Sequence, residues 1–183
     1  MSMVRRIVTA ERNGKSCVVS DGPVANTHDF AAMPGFRTTL AWMTRDVPRF
    51  PDDGGAGDPV ARVDTMLPGP GGSCLIVVTF PPDSVMMSPA FDGAAAAAEQ
   101  AEFLPGLADT FDPDGSGMHI TATLDYDVIV EGELWLELDD GDVRHLKAGD
   151  VVIQNGTRHA WRNRTDKPTT MISFMVGGHR DAA

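Results

Sequence analysis

Met118-His119-Ile120-Thr121-Ala122-Thr123-Leu124-Asp125-Tyr126-Asp127-Val128 is the stretch on which the fold of this 183-residue chain turns. A strand sends alternate side chains to opposite faces. As a regular strand it places His119, Thr121, Thr123 and Asp125 on one polar face, and Ile120, Ala122, Leu124 and Tyr126 on an apolar one. Either the polar face meets water and the apolar face is core, or the polar face lines a cavity and the apolar face packs on a second sheet or a subunit.

Downstream, strand-like runs are cut by turns at Glu131-Gly132, Asp140-Gly141, Ala148-Gly149, Asn155-Gly156 and Asp166 to Pro168. Short strands at that spacing point to a sandwich or barrel. Upstream, Val4 to Ala10 and Cys17 to Ser20 flank Asn13-Gly14, a hairpin signal. Phe36 to Met43 alternates like a half-buried strand, Pro48 to Asp58 reads as loop, and Ser73 to Phe80 is an apolar strand stopped by Pro81-Pro82. One helix is expected from about Pro89 to Leu104, through Ala94 to Ala98; a disordered polyalanine insert is the alternative. The reading is all-β with one short helix. Residues 1–58 wrap a barrel formed by 59–183.

Acidic residues outnumber basic ones by 26 to 15, a net charge of −11. That balance argues against a nucleic-acid or anionic-membrane surface, where Lys and Arg supply the affinity. No stretch approaches the roughly 20 apolar residues of a membrane span. Arg5 and Arg6 are not followed by a signal-like apolar run before Glu11. Two cysteines, Cys17 and Cys74, give no disulfide framework. A cytoplasmic protein with no membrane or nucleic-acid partner is expected.

The second informative stretch runs from Gly149 through Gln154 and Gly156 to His159, Trp161 and Asn163, the last three sharing one strand face. Together the two stretches resemble the cupin superfamily of small antiparallel jelly-roll barrels. Its first motif places His-x-His, an acid three or four residues on, and a Gly seven further. This chain has His119-x-Thr121, Asp125 and Gly132. The second motif places Gly, Pro-x-Gly, His and Asn, answered here by Gly149, Gln154-x-Gly156, His159 and Asn163. Pro113 stands where the family usually has Gly. The resemblance covers about Leu75 to Val176 and implies a cupin-type barrel, a small-molecule ligand and a homodimer.

A metal-binding cupin offers His, His, Glu and His; here those places hold His119, Thr121, Asp125 and His159. His119, Asp125 and His159 are what remains as a ligand set for Fe, Zn or Mn, of the 2-His-1-carboxylate kind. The metal-free reading makes Asp125 and His159 a catalytic acid/base pair, burial raising the carboxyl pKa while a neighbouring imidazolium lowers it and keeps the pair charged. A purely structural Asp125–His159 hydrogen bond is the third reading. His119, Thr121, Trp161 and Gln154 are candidate substrate contacts, Gln154 near the mouth and Trp161 as pocket wall or core. Asn163 reads as structural, Tyr126 as pointing away from the cavity, and His28, His145 and His179 as surface residues. The leading expectation is a dehydratase, isomerase or cyclase acting on an apolar carbonyl- or hydroxyl-bearing compound, with no organic cofactor. A metal-dependent dioxygenase and a non-catalytic binding protein are the alternatives.

Overall fold

The computed structural model describes residues 3–181. Eleven strands and one α-helix follow in order: β1 (Arg5–Arg12), β2 (Lys15–Pro23), β3 (Thr27–Asp29), β4 (Arg37–Thr44), β5 (Ser73–Phe80), α1 (Gly93–Phe103), β6 (Thr123–Glu131), β7 (Glu133–Glu137), β8 (Val143–Lys147), β9 (Val151–Asn155), β10 (Ala160–Arg162) and β11 (Thr169–Gly177). They form an antiparallel six-stranded sheet, β3-β4-β5-β11-β6-β9, a three-stranded sheet, β10-β7-β8, and the separate β1–β2 hairpin. The fold is all-β, antiparallel, with one short helix, as the sequence predicts. β3 and β4, from the segment expected to wrap the barrel, extend its larger sheet.

Local chemistry sets the joints. Asn13 and Gly14 both take positive φ, 53° and 71°, the primed turn whose twist matches the strands it joins. Asp92 caps α1 by accepting from the backbone N–H groups of Ala94 and Ala95, so the helix begins at Gly93 rather than near Pro89. The alanine run is therefore helix, and Ala96 and Leu104 are buried against the barrel. Gly132 turns β6 into β7 at φ +83°, and a Cβ there would collide with the Thr169 hydroxyl.

The main core gathers Phe30, Met33, Leu40, Met43, Met66, Ile76 and Met175. A second cluster holds Ile129, Leu134 and Met171 at the β6–β7 end. Between them the polar side of β6 turns inward. Thr123, Asp125 and Asp127 are all buried, while Tyr126 and Val130 on the other side are exposed. The cavity reading of that strand is the one the fold adopts.

Candidate functional site

A cavity of about 180 Å³ opens between the sheets, and His119, Thr121, Asp125, Asp127, His159 and Trp161 are among its lining residues. Most of its wall is apolar: Phe36, Phe80 and Phe111 supply rings, and Met33, Met66, Met86, Met171 and Met175 supply flexible thioethers. Such side chains adapt to an irregular apolar ligand.

The strand expected to start at Met118 starts instead at Thr123. His119 leaves the regular register because it forms isolated bridges to Phe111 and His159. Its N–H donates to the His159 carbonyl at 2.9 Å, and the His159 N–H donates back at 3.0 Å. That backbone clasp brings the two rings together, centroids 4.2 Å apart. Trp161 meets His159 edge-on at 5.6 Å, and Phe111 leans on His119 at 4.7 Å.

Hydrogen bonding fixes the tautomers. His119 Nδ1 lies 3.2 Å from the Gly117 carbonyl oxygen, and His159 Nδ1 lies 2.9 Å from that of Thr157. A carbonyl oxygen only accepts, so each Nδ1 carries the hydrogen and each Nε2 carries a lone pair. Burial lowers the pKa of His119, and burial together with the nearby His119 lowers that of His159 to about 4. Both rings are neutral bases at neutral pH.

The carboxylates go the other way. Burial raises Asp125 to about 6 against a hydrogen bond from Thr123. Asp127 is raised to about 7 by burial and by Asp125, against a hydrogen bond from Ser173. An imidazolium holding Asp125 charged is therefore not what the geometry provides, because desolvation outweighs attraction and favours the neutral form of both partners. Nor do Asp125 and His159 hydrogen-bond. Asp125 Oδ1 is buried with no partner.

Other residues fall differently. Gln154 sits opposite Asp125 in the β6–β9 register but is not among the cavity's lining residues. It is buried, its Oε1 accepts from the Thr157 hydroxyl at 2.5 Å, and its Nε2 is unpartnered. It is therefore a buried neighbour of Asp125 rather than a residue at the mouth. Asn163 is structural: its Nδ2 donates to the Phe80 and Lys167 carbonyls, and its Oδ1 accepts from Thr165. His28 is not a free surface residue, since it stacks on Phe103 at 3.4 Å and bonds Glu99. His145 is exposed and stacks on Trp135.

Asp127 escaped the sequence reading although it continues the inward alternation of Asp125 by two residues. So did the wall supplied by residues before 110. A strap from Leu104 to Met118 closes one side of the cavity with Leu104, Leu107, Phe111 and Gly117. Arg158 pairs with Asp112 across it, and Arg162 donates to Ser116 O at 2.7 Å while holding Glu137 at 2.7 Å.

Metal binding would need the donors to converge. Among the described residues no three His, Cys, Asp or Glu side chains gather closely enough to hold an ion. The two imidazoles adjoin, but Asp125 does not complete a three-ligand set with them.

Among the described residues no helix is long and apolar enough to cross a membrane. Phomopsin biosynthesis cluster protein D of Diaporthe leptostromiformis is 47% identical over 79 residues, 40% of this chain and 42% of that protein. Cupin-domain-containing oxidoreductase virC of Hypocrea virens is 43% identical over 54 residues, 30% of this chain and 28% of that one. The chain thus spans less than half the length of these curated relatives. Among solved structures, KdgF from Halomonas sp. superposes with a TM-score of 0.41 at 14% identity, covering 81% of this chain and 84% of that one. Residues 110–175, which hold His119, Thr121, Asp125, Asp127, His159 and Trp161, match the family described as Cupin domain. Through that stretch the chain carries a cupin domain.

Proposed function

We propose that the protein is an enzyme acting on a small apolar molecule by proton transfer, with His159 and Asp125 as its acid/base groups. The observation that carries the reading is the pair of neutral imidazoles, each with Nδ1–H committed to a carbonyl and Nε2 left as a base in an apolar cavity. A buried base and a carboxyl whose pKa is raised toward neutrality are suited to taking a proton from one atom of a carbonyl or hydroxyl compound and returning one to another. In this scheme His159 Nε2 accepts the proton from carbon or oxygen. Asp125 in its protonated form supplies one to the departing or enolising oxygen, so the net change is an isomerisation or dehydration. His119 packs against His159 and, after burial, is the second cause of its lowered pKa, so it helps keep His159 neutral.

Relatives named as biosynthesis cluster proteins support small-molecule metabolism as the setting. Relatives named as cupin-domain-containing oxidoreductases favour a second reading, redox chemistry at the same cavity. The test is turnover of candidate carbonyl and hydroxyl compounds by metal-stripped protein, with His159→Asn and Asp125→Asn alongside. Loss of about 10²- to 10⁴-fold in each variant is expected. Activity that appears only with Fe, Mn or Zn, or that consumes an oxidant, supports the redox reading instead.

A further inference from the structure

The polar end of the cavity is made almost wholly of acceptors. His119 and His159 spend their single ring N–H groups on Gly117 O and Thr157 O. Thr121 and Thr123 hydroxyls share one hydrogen bond of 2.7 Å, and Thr123 also bonds Asp125. A hydroxyl has one hydrogen to give. With Asp125 ionised, Thr123 donates to it and Thr121 must donate to Thr123, so neither hydroxyl hydrogen reaches the cavity. Four acceptors remain: Nε2 of both imidazoles, Thr121 Oγ1 and the unpartnered Asp125 Oδ1, the last on a side chain only 4% exposed.

Some donors elsewhere on the wall are already engaged, while the Trp161 indole, the Thr38 hydroxyl and the Gln100 amide also line it. Ser173 bonds Asp127, and Asn163 Nδ2 serves the Phe80 and Lys167 carbonyls. Arg162 is the one Lys or Arg among the described lining residues, and its guanidinium is held by Glu137 and by Ser116 O. No Lys or Arg among the described lining residues is left to neutralise an anion beside two buried carboxyl groups, and an unpaired buried charge is costly.

We infer that the cavity takes an uncharged, hydroxyl-bearing apolar ligand, a phenol, enol or alcohol, whose O–H donates to the unpartnered acceptors of the His119–His159–Asp125 end, and that it prefers such a ligand to a carboxylate or to a molecule of the same shape without the hydroxyl. This deepens the proposed function and rests on it for the identity of the site. Within the carbonyl-or-hydroxyl class it makes the hydroxyl-bearing form the one that binds more tightly.

Three probes of similar shape separate the cases in calorimetric titrations of the intact protein: 2-naphthol, 2-methoxynaphthalene and 2-naphthoate. 2-Naphthol is expected to bind on the order of tenfold more tightly than its methyl ether, the effect of one buried hydrogen bond, with 2-naphthoate weakest. His159→Phe, which removes one of the four acceptors, is expected to narrow the gap between 2-naphthol and its ether. Equal binding of naphthol and ether, tightest binding of naphthoate, or no binding of any probe overturns the inference. Should the variant fail to fold, the comparison on the unmodified protein decides alone. No turnover is measured, so hydroxyl selectivity without any acid/base activity would overturn the proposed function and leave this inference standing.

Discussion

Asp127→Asn is the substitution whose consequences the structure specifies most closely. Asp127 is 2% exposed, faces the cavity from β6, and is held by the Ser173 hydroxyl across the strand pair. Burial and Asp125 raise it from the ordinary 3.8 to about 7. A carboxyl whose folded pKa exceeds its unfolded one binds the proton more tightly in the native state. Its stabilising contribution is whole below pH 3.8 and is lost as pH climbs to 7. At 1.36 kcal/mol per pH unit the loss is on the order of 4 kcal/mol by pH 8. Asparagine has the same shape, keeps an oxygen for Ser173, and carries no charge to desolvate. The variant is therefore expected to match the parent near pH 3.5 and to exceed it increasingly toward pH 8. Urea denaturation of both proteins at half-unit steps reads the difference directly, and half the predicted gain would still stand clear of the error in extrapolated stabilities. Two stability curves that run parallel across that range would refute the reasoning, because they would mean that Asp127 titrates normally in the native state.

Gly132→Ala should cost several kcal/mol, from a left-handed backbone and a Cβ driven into Thr169, and thermal unfolding will show a large fall in Tm. Asn163→Ala strips partners from the Phe80 and Lys167 carbonyls and from Thr165, and should destabilise by about 3 kcal/mol in denaturant titrations without altering the pH dependence of turnover. Thr121→His adds a third imidazole beside His119 and His159, and should raise Zn(II) affinity at least tenfold by competition with a chromophoric chelator. If the affinity is unchanged, position 121 does not face the two imidazoles.

The sequence made the strands legible wherever pattern and punctuation agreed. Asn13-Gly14 fixed a hairpin, Pro81-Pro82 closed β5, and the spacing of His119, Asp125, Gly132, Gly149, Gly156 and His159 announced the barrel. It left two orientations for the polar face of β6, and only the opposing sheet could decide between them. Asp127 was missed although it carried the same signal as Asp125: an acid at i+2 on an otherwise apolar strand. The state of the Asp125–His159 pair was misjudged because attraction between charges is readable from residue types, whereas desolvation depends on how deeply each is enclosed. His28 looked like a loop residue because nothing local announces that Phe103, seventy-five positions on, lies flat against it. The cavity wall before residue 110 comes from the same long-range packing.

That wall has a consequence for how such a protein diversifies. The groups that can move a proton, His119, Asp125, Asp127 and His159, all fall within residues 110–175. The side chains that shape the far end of the chamber, Met33, Phe36, Met66, Phe80 and Leu104, all lie outside it. Residues 110–175 thus hold the imidazoles and carboxyls of the polar end together with part of the wall, Phe111, Trp161, Met171 and Met175, while the rest of the wall comes from the preceding chain. Substitutions at Met33, Phe36, Met66, Phe80 or Leu104 can therefore change the shape of the chamber without altering any of those four imidazole and carboxyl groups.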